Sequence, residues 1–331
     1  MRILFVNRKT RPYGNFSIEA YFTQISQLIE KEGISTKHWF APYYSNGIIK
    51  RLLSFWALQN QTKQDIVHVT GDIYYLMPAG QGKRIITYHD IGFMQTKNPL
   101  KKWIYRKFWI QYPIKRAHAI TCVSKATKNE ILRHLPRARR IEVIPTVIDP
   151  RFVRHDKPFN EACPTILLLG SAPNKNLNRV LKATQGLNVH LSIVAKLDAQ
   201  AIELLQGQSY EVCESIPFEE LIEKYRSADM VAMCSTHEGF GMPILEAQAT
   251  GRVVLTSNCS SMPDVAGAGA LLVDPYSVTS IKEGFQKLCT DAELRNQLIL
   301  EGFKNTQRFL PEEIAKQYLS LYKRLVPEDK R

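Results

Sequence analysis

Short runs of aliphatic and β-branched residues alternate with stretches of helical spacing along the chain, and no other feature limits the possible folds as strongly. Strand-like runs stand at residues 2–6, 66–69, 84–88, 119–123 and 142–144, and helical patterns at 17–31, 99–117 and 125–134 separate several of them. The rhythm then restarts. Strands are expected at 165–169, 190–194, 230–234, 253–255 and 270–273, with helices near 177–185, 218–227 and 243–250. Such alternation marks an α/β fold, a parallel sheet with helices on both faces, here built twice. The length of 331 residues agrees, at roughly 100–200 residues per domain. Pro145, Pro150, Pro158 and Pro164 punctuate a stretch with few periodic apolar residues, where the linker is expected. The division read from this is residues 1–158, residues 159–310 and a helix within 311–331. That helix carries Ile314, Tyr318, Leu321 and Leu325 at helical spacing and can fold back on the N-terminal domain.

A composition of 44% hydrophobic and 23% charged residues excludes disorder, collagen and coiled coil. No apolar run approaches the ~18 residues of a membrane span, and the start Ile3-Leu4-Phe5-Val6 is too short for a signal-peptide core, so a cytoplasmic location is expected. The six cysteines form no C-x-x-C pair and read as reduced core residues. Charge is uneven. Residues 1–150 hold 24 Lys and Arg against 9 Asp and Glu, a balance of +15, whereas residues 151–331 hold 20 against 22. Nucleic acid is not the expected partner, because no recognition motif accompanies the charge. The densest stretch, LKKWIYRKFWIQYPIKR at residues 100–116, interleaves six cations with Trp103, Tyr105, Phe108, Trp109 and Tyr112. Two readings of it stand: a helix lying peripherally on an anionic membrane at the inner face, or an ordinary amphipathic helix with its aromatics in the core.

Absent motifs narrow the chemistry. No G-x-G-x-x-G follows a strand, since Gly239-Phe240-Gly241 runs on into Met242-Pro243-Ile244, and Gly82-Lys83 is followed by Arg84 without the upstream glycine of a phosphate loop. D-x-D, H-E-x-x-H and tight His/Cys clusters are missing, so neither a metal nor another cofactor is expected. What is present lies after the strand at 230–234: STHEGFGMPILEAQATG, residues 235–251. Two glycines allow a tight turn, Pro243 suits a first helical turn, and Gly251 ends the helix. A strand, glycine turn and helix place a helix N-terminus where an anion such as phosphate is favoured. Glu238 stands before the turn and Glu246 eight positions on, a spacing that lets two carboxylates meet different parts of one ligand; singly, each reads as a helix-terminus charge.

The string EGFGMPILEAQATGRVVLTSNCSSMPDVAG followed by ALLVDP resembles the signature of family four retaining glycosyltransferases (glycosyl transferases group 1), of the bacterial polysaccharide and mannosyltransferase-like kind. ITYHDIGF (86–93), AITCVSKATKNEI (119–131), EVIPTVID (142–149) and ILLLGSAPNKNLNRVLKA (166–183) extend the likeness in family order. The resemblance implies the GT-B fold, two Rossmann-like doubly wound domains facing each other across a cleft, with the acceptor on the basic first domain and the nucleotide sugar on the second. It assigns Glu246 to the ribose hydroxyls, Glu238 to the donor sugar, the amides of Gly239, Phe240 and Gly241 to sugar and diphosphate, and Lys175 to the diphosphate. Ser171 belongs to the same donor loop. The family's arginine before that lysine is missing, and Lys196 or Arg179 is the candidate replacement. His89 matches a histidine facing the donor sugar, with a core histidine as the plain alternative; Gly14, beside Asn15, matches a glycine turn near acceptor and phosphates. Asp264 is expected to be structural and Ser124 to cap a helix.

The same resemblance implies a retaining transfer of a hexose from a UDP- or GDP-linked sugar to a glycan or lipid-linked glycan, without a metal. The leaving diphosphate is stabilised by Lys175 and the helix amides, while Glu238 and His89 hold the sugar. A sugar-nucleotide epimerase, a phosphorylase of the same architecture and a non-catalytic nucleotide-sugar-binding protein are the other classes to separate from it.

Overall fold

The computed structural model describes residues 1–10, 17–138 and 141–327, and it divides into two compact units, residues 1–147 with the segment from Leu310 on, and residues 148–309. In chain order the first unit holds β1 (Arg2–Asn7), α1 (Ser17–Glu30), β2 (Ser35–Phe40), α2 (Ile48–Gln59), β3 (Ile66–Val69), β4 (Lys83–Tyr88), α3 (Pro99–Tyr105), α4 (Tyr112–Arg116), β5 (Ala119–Cys122), α5 (Lys125–His134) and β6 (Ile141–Val143). The second holds β7 (Thr165–Leu169), α6 (Leu177–Thr184), β8 (His190–Val194), α7 (Ala199–Leu204), β9 (Ser209–Cys213), α8 (Phe218–Ser227), β10 (Met230–Met233), α9 (Met242–Thr250), β11 (Val253–Ser257), α10 (Met262–Ala266), β12 (Leu271–Val273), α11 (Val278–Thr290) and α12 (Ala292–Thr306). The chain then returns to the first unit with α13 (Pro311–Leu325).

The first sheet runs β2-β1-β3-β4-β5-β6, parallel throughout. Its central strands are apolar on both faces. Leu4, Val6, Val67, Val69, Ile86 and Tyr88 join one core with Ile110 and Ile131, while Ile3, Phe5, Ile66 and Ile85 join another with α1 and α13. Successive side chains point to opposite faces, so a sheet covered twice reads as a continuous apolar run. α13 is fixed by a buried polar chain as well as by packing. His68 bonds the Tyr322 hydroxyl through Nδ1 and the Thr87 hydroxyl through Nε2, each at 2.7 Å, and the Tyr21 hydroxyl donates to Tyr318 at 3.1 Å. Burial lowers the His68 pKa to about 3, so the ring is neutral.

The helix expected over residues 99–117 is broken into α3, a wider π-helical turn at Arg106–Gln111, and α4. Pro113 is the reason. It has no N–H for the carbonyl of Trp109, four residues back, and the buried Tyr88 hydroxyl donates to that carbonyl instead, at 2.7 Å. The apolar side chains of the segment divide: Tyr105 and Trp109 pack against the core, whereas Leu100, Trp103, Phe108 and Tyr112 are exposed.

The second sheet runs β12-β11-β10-β7-β8-β9, again parallel, so β7 and β10 lie side by side at its centre. The division between units falls at residues 147/148, ahead of the expected 158/159. Much of the proline stretch read as a linker is packed into the second unit. Phe152 meets the rings of Phe218 and Tyr225 edge-on, and the buried Asp229 carboxylate binds Lys157 and accepts from the amides of Asn160 (3.0 Å) and Thr165 (2.8 Å).

Candidate active site

Between β7 and β10 the second sheet reverses direction of winding, and loops leaving the carboxyl ends of such a strand pair diverge and leave a crevice. The loop after β7 begins at Gly170, at φ +82°, where the Lys175 stem passes so close that a Cβ would meet its Cγ at 3.4 Å. The Lys175 amide donates to Ala172 O at 2.7 Å, and Asn176, left-handed at φ +60°, sends Nδ2 to Cys234 O (3.0 Å) and Pro275 O (2.7 Å). The Thr236 amide donates to Asn174 O at 2.8 Å, which stitches the loop after β10 to the loop after β7.

These bonds bring two of the expected site residues, Lys175 and Glu238, into contact. Lys175 Nζ donates to Glu238 Oε1 at 2.8 Å, and Asn174 Nδ2 donates to the same oxygen at 3.2 Å and to His237 O at 3.0 Å. The two charged side chains keep 25% and 14% exposure, so the pair is screened from bulk water yet open to a ligand. A third loop, after β11, fixes the turn from the other side. Ser260 Oγ donates to Glu238 O (2.9 Å) and accepts from the Glu238 amide (3.2 Å), and Ser261 Oγ reaches Phe240 O at 2.6 Å. Phe240 buries its ring edge-on against Phe309, at 5.7 Å, which leaves its backbone at the turn beside Gly239. Gly241 caps α9 at φ +113°, a conformation suited to glycine, and Pro243 occupies the first turn of the helix.

Glu246 lies on the next turns of α9. The hydroxyl of Tyr225, on α8, donates to its Oε2. Burial pushes the Glu246 carboxyl up to about 7; the Tyr225 bond and the Lys175 charge pull it down, while Asp149 adds to the rise. Lys175 therefore acts electrostatically on both carboxylates. Tyr225 was not legible as a site residue, nor were Asn174, Ser260 and Ser261. They act across loops that only the folded sheet brings together, although Asn174 and the two serines stand inside the strings that carry the family likeness.

Ser171 and Lys196 line a cavity of about 320 Å³ beside the loop after β7, together with Pro173, Asn178 and Asp198; Lys175, Glu238 and Glu246 are not on its wall. Of the two candidate replacements for the missing arginine, Arg179 is committed elsewhere. Its guanidinium bonds Asn176 Oδ1 and Pro275 O and lies over the Tyr276 ring, so it braces the loop, while Lys196 is exposed. In the first unit His89 follows β4. Its Nε2 donates to Thr70 O at 2.8 Å, so that nitrogen carries the proton, and burial lowers its pKa. Gly14 and Asn15 lie outside the described residues. Asp264 offers its carbonyl to Arg308 at 3.4 Å, and Ser124 caps α5 by accepting from the Thr127 amide at 3.1 Å.

Comparison with known proteins matches residues 151–305 to the family described as glycosyl transferases group 1 and residues 22–152 to glycosyltransferase family 4. The chain is 26% identical over 299 residues to the O-antigen chain mannosyltransferase B of Escherichia coli, covering 82% of this chain and 77% of that one. It is 24% identical over 257 residues to the serotype-specific mannosyltransferase WbdA of Escherichia coli, covering 69% of this chain but only 32% of that longer protein. Among solved structures, Anabaena HepE in complex with UDP and glucose superposes with a TM-score of 0.76 at 15% identity, over 98% of this chain and all of that one, a likeness of fold.

Proposed function

The chain belongs to the group 1 glycosyltransferases, and on that premise we propose that it moves a hexose from a UDP- or GDP-linked sugar to a glycan or lipid-linked glycan, with retention of configuration and without a metal. The observation that carries the reading is the Lys175–Glu238 pair, held by three loops at the carboxyl ends of β7, β10 and β11 beside the N-terminus of α9. In this reading the diphosphate meets Lys175 and the α9 terminus, with the turn Gly239-Phe240-Gly241 against it and Ser171 and Lys196 on the adjoining cavity wall. Glu246 accepts from the ribose hydroxyls. Glu238 keeps Oε1 on Lys175 and turns Oε2 to the sugar. His89 keeps the sugar-holding role that the family resemblance assigns to it.

As the bond from the sugar to the diphosphate breaks, negative charge grows on the departing oxygen, where the Lys175 ammonium and the helix dipole stabilise it. That oxygen takes the proton of the acceptor hydroxyl as the new glycosidic bond forms on the same face, so no side-chain base is needed. The similarity to mannosyltransferases makes mannose the first sugar to try. The exposed cations and aromatics of residues 100–116 are proposed to meet an anionic membrane surface on which a lipid-linked acceptor is presented.

Calorimetric titration of UDP, GDP and ADP in EDTA, against the wild type and Glu246→Ala, tests the reading. One nucleotide binding the wild type and not the variant is the expected outcome. Binding that appears only after Mg or Mn is added overturns the metal-free part, and no binding in either condition overturns the donor site.

A further inference from the structure

Helix α2 is turned inside out. Ile48, Ile49, Leu52, Leu53 and Trp56 recur at helical spacing and stand between 45% and 74% exposed, whereas Ser54 and Leu58 face the core. A helix on the surface of a globular protein normally points its apolar stripe inward. Arg51 stays on the protein side. Its guanidinium donates to Ser45 O at 3.1 and 2.8 Å and lies over the rings of Trp109 and Tyr75, at 4.7 and 5.8 Å. Through that contact α2 adjoins the π-helical turn of the segment that also exposes Leu100, Trp103, Phe108 and Tyr112.

We infer that α2 lies flat in the headgroup and upper acyl layer of an anionic bilayer, as the apolar anchor beside the cationic segment at residues 100–116. For its purpose, presenting the enzyme to a lipid-linked acceptor, this face rests on the function proposed above; for its physics it rests on the exposed side chains alone. The occupant follows from their chemistry. The sequence holds no Asp or Glu between residues 33 and 64 or between 91 and 129, and Lys50, Lys101, Lys102, Arg106, Lys107, Lys115 and Arg116 are all exposed. Exposed apolar side chains in stretches whose only charges are cationic, with tryptophan and tyrosine among them, are complementary to acyl chains beneath phosphate headgroups. Its 12 residues extend about 18 Å at 1.5 Å each, short of the ~30 Å hydrocarbon layer, so α2 lies in the surface.

The paired substitution Ile49→Glu with Leu52→Glu tests this, because both positions are exposed and neither belongs to the nucleotide site. The full chain is sedimented with vesicles of phosphatidylglycerol and phosphatidylethanolamine, or of phosphatidylcholine alone, at low and high salt. The expected result is wild-type binding to the anionic vesicles with a salt-resistant fraction, lowered about tenfold or more in the variant, while calorimetric nucleotide binding is unchanged. Substituting Lys101→Gln and Lys102→Gln is expected to reduce only the salt-sensitive fraction. Equal vesicle binding by wild type and the α2 variant overturns the inference. So does a wild type that ignores vesicles and forms a dimer which the variant splits, because α2 is then a protein interface. Loss of nucleotide binding in every form, with vesicle binding intact, sinks the proposed function and leaves the membrane face standing.

Discussion

The function proposed above asks two incompatible things of Glu246: to sit in a covered site and to carry a charge there for a ribose. Its pKa near 7, raised above the ordinary 4.5 by burial, has a consequence of definite sign. Between those values the folded chain binds more protons than the unfolded one, so this group's contribution to stability is intact below about pH 4.5 and declines as pH rises through 7. Glu246→Gln should therefore melt higher than the wild type at pH 8, with the difference vanishing under acid conditions, as a pH series of thermal melts reads directly. In the proposed role, where ribose hydroxyls donate to the ionised form, nucleotide affinity should have the opposite slope: it should rise with pH to about 7 and then level off, and calorimetry in two buffers should show proton release. Tyr225→Phe removes the bond that holds that pKa down, so the affinity profile should move to higher pH and affinity near neutrality should fall about tenfold. A purely structural role for Tyr225 leaves the midpoint where it was. At this scale the sequence displays Glu238, Glu246 and Lys175 because each stands in a contiguous string, and hides Tyr225, whose hydroxyl is joined to Glu246 only by the packing of α8 on α9.

Elements were legible in proportion to their burial. β3, β7 and β8 have the ends expected from their apolar runs; they are covered by neighbours, and the polar residues inside them, His68 and Ser192, are buried with the rest. The edge strands β2 and β9 are not legible in the sequence, because STKHWF and SYEVC carry polar side chains toward water and show no apolar run. α2 was missed for the reverse reason, its apolar face being the outer one. α11 carries an ordinary pattern at Ile281, Phe285 and Leu288 that the alternation of shorter elements overshadowed. The turn into α9 depends on backbone and not on pattern. Gly241→Ala puts a β-carbon at φ +113°, 3.2 Å from Ile244 Cδ1, and should cost about 1–3 kcal/mol in denaturant unfolding while displacing the helix terminus, so nucleotide binding falls with it. Unchanged affinity would show that the α9 terminus is not part of the site.

At the scale of the whole molecule the first unit is discontinuous in the chain, closed by a helix that follows the second unit. Tyr318 and Tyr322 of α13 are fully buried against the sheet, so Tyr322→Ala should cost the first unit on the order of 3–5 kcal/mol. Hydrogen exchange should show protection lost in β3, β4 and α1 and kept in β7 and β10; loss spread evenly over both units would refute that confinement. His68 adds a pH term to the same contact. Its pKa is depressed from 6.5 to about 3, so the stability it contributes is present above 6.5 and is lost as pH falls toward 3, and exchange in the first unit should speed up first on acidification. The same topology orders events during synthesis. A ribosome adding about 5–20 residues per second needs on the order of ten seconds or more to travel from residue 147 to residue 310. Throughout that interval the nascent first sheet stands with the seat of α13 bare, while the second unit, contiguous in the chain, has all it needs to finish first. Residues 1–147 thus emerge before the second unit and are completed after it, and they are the part that a chaperone would find waiting.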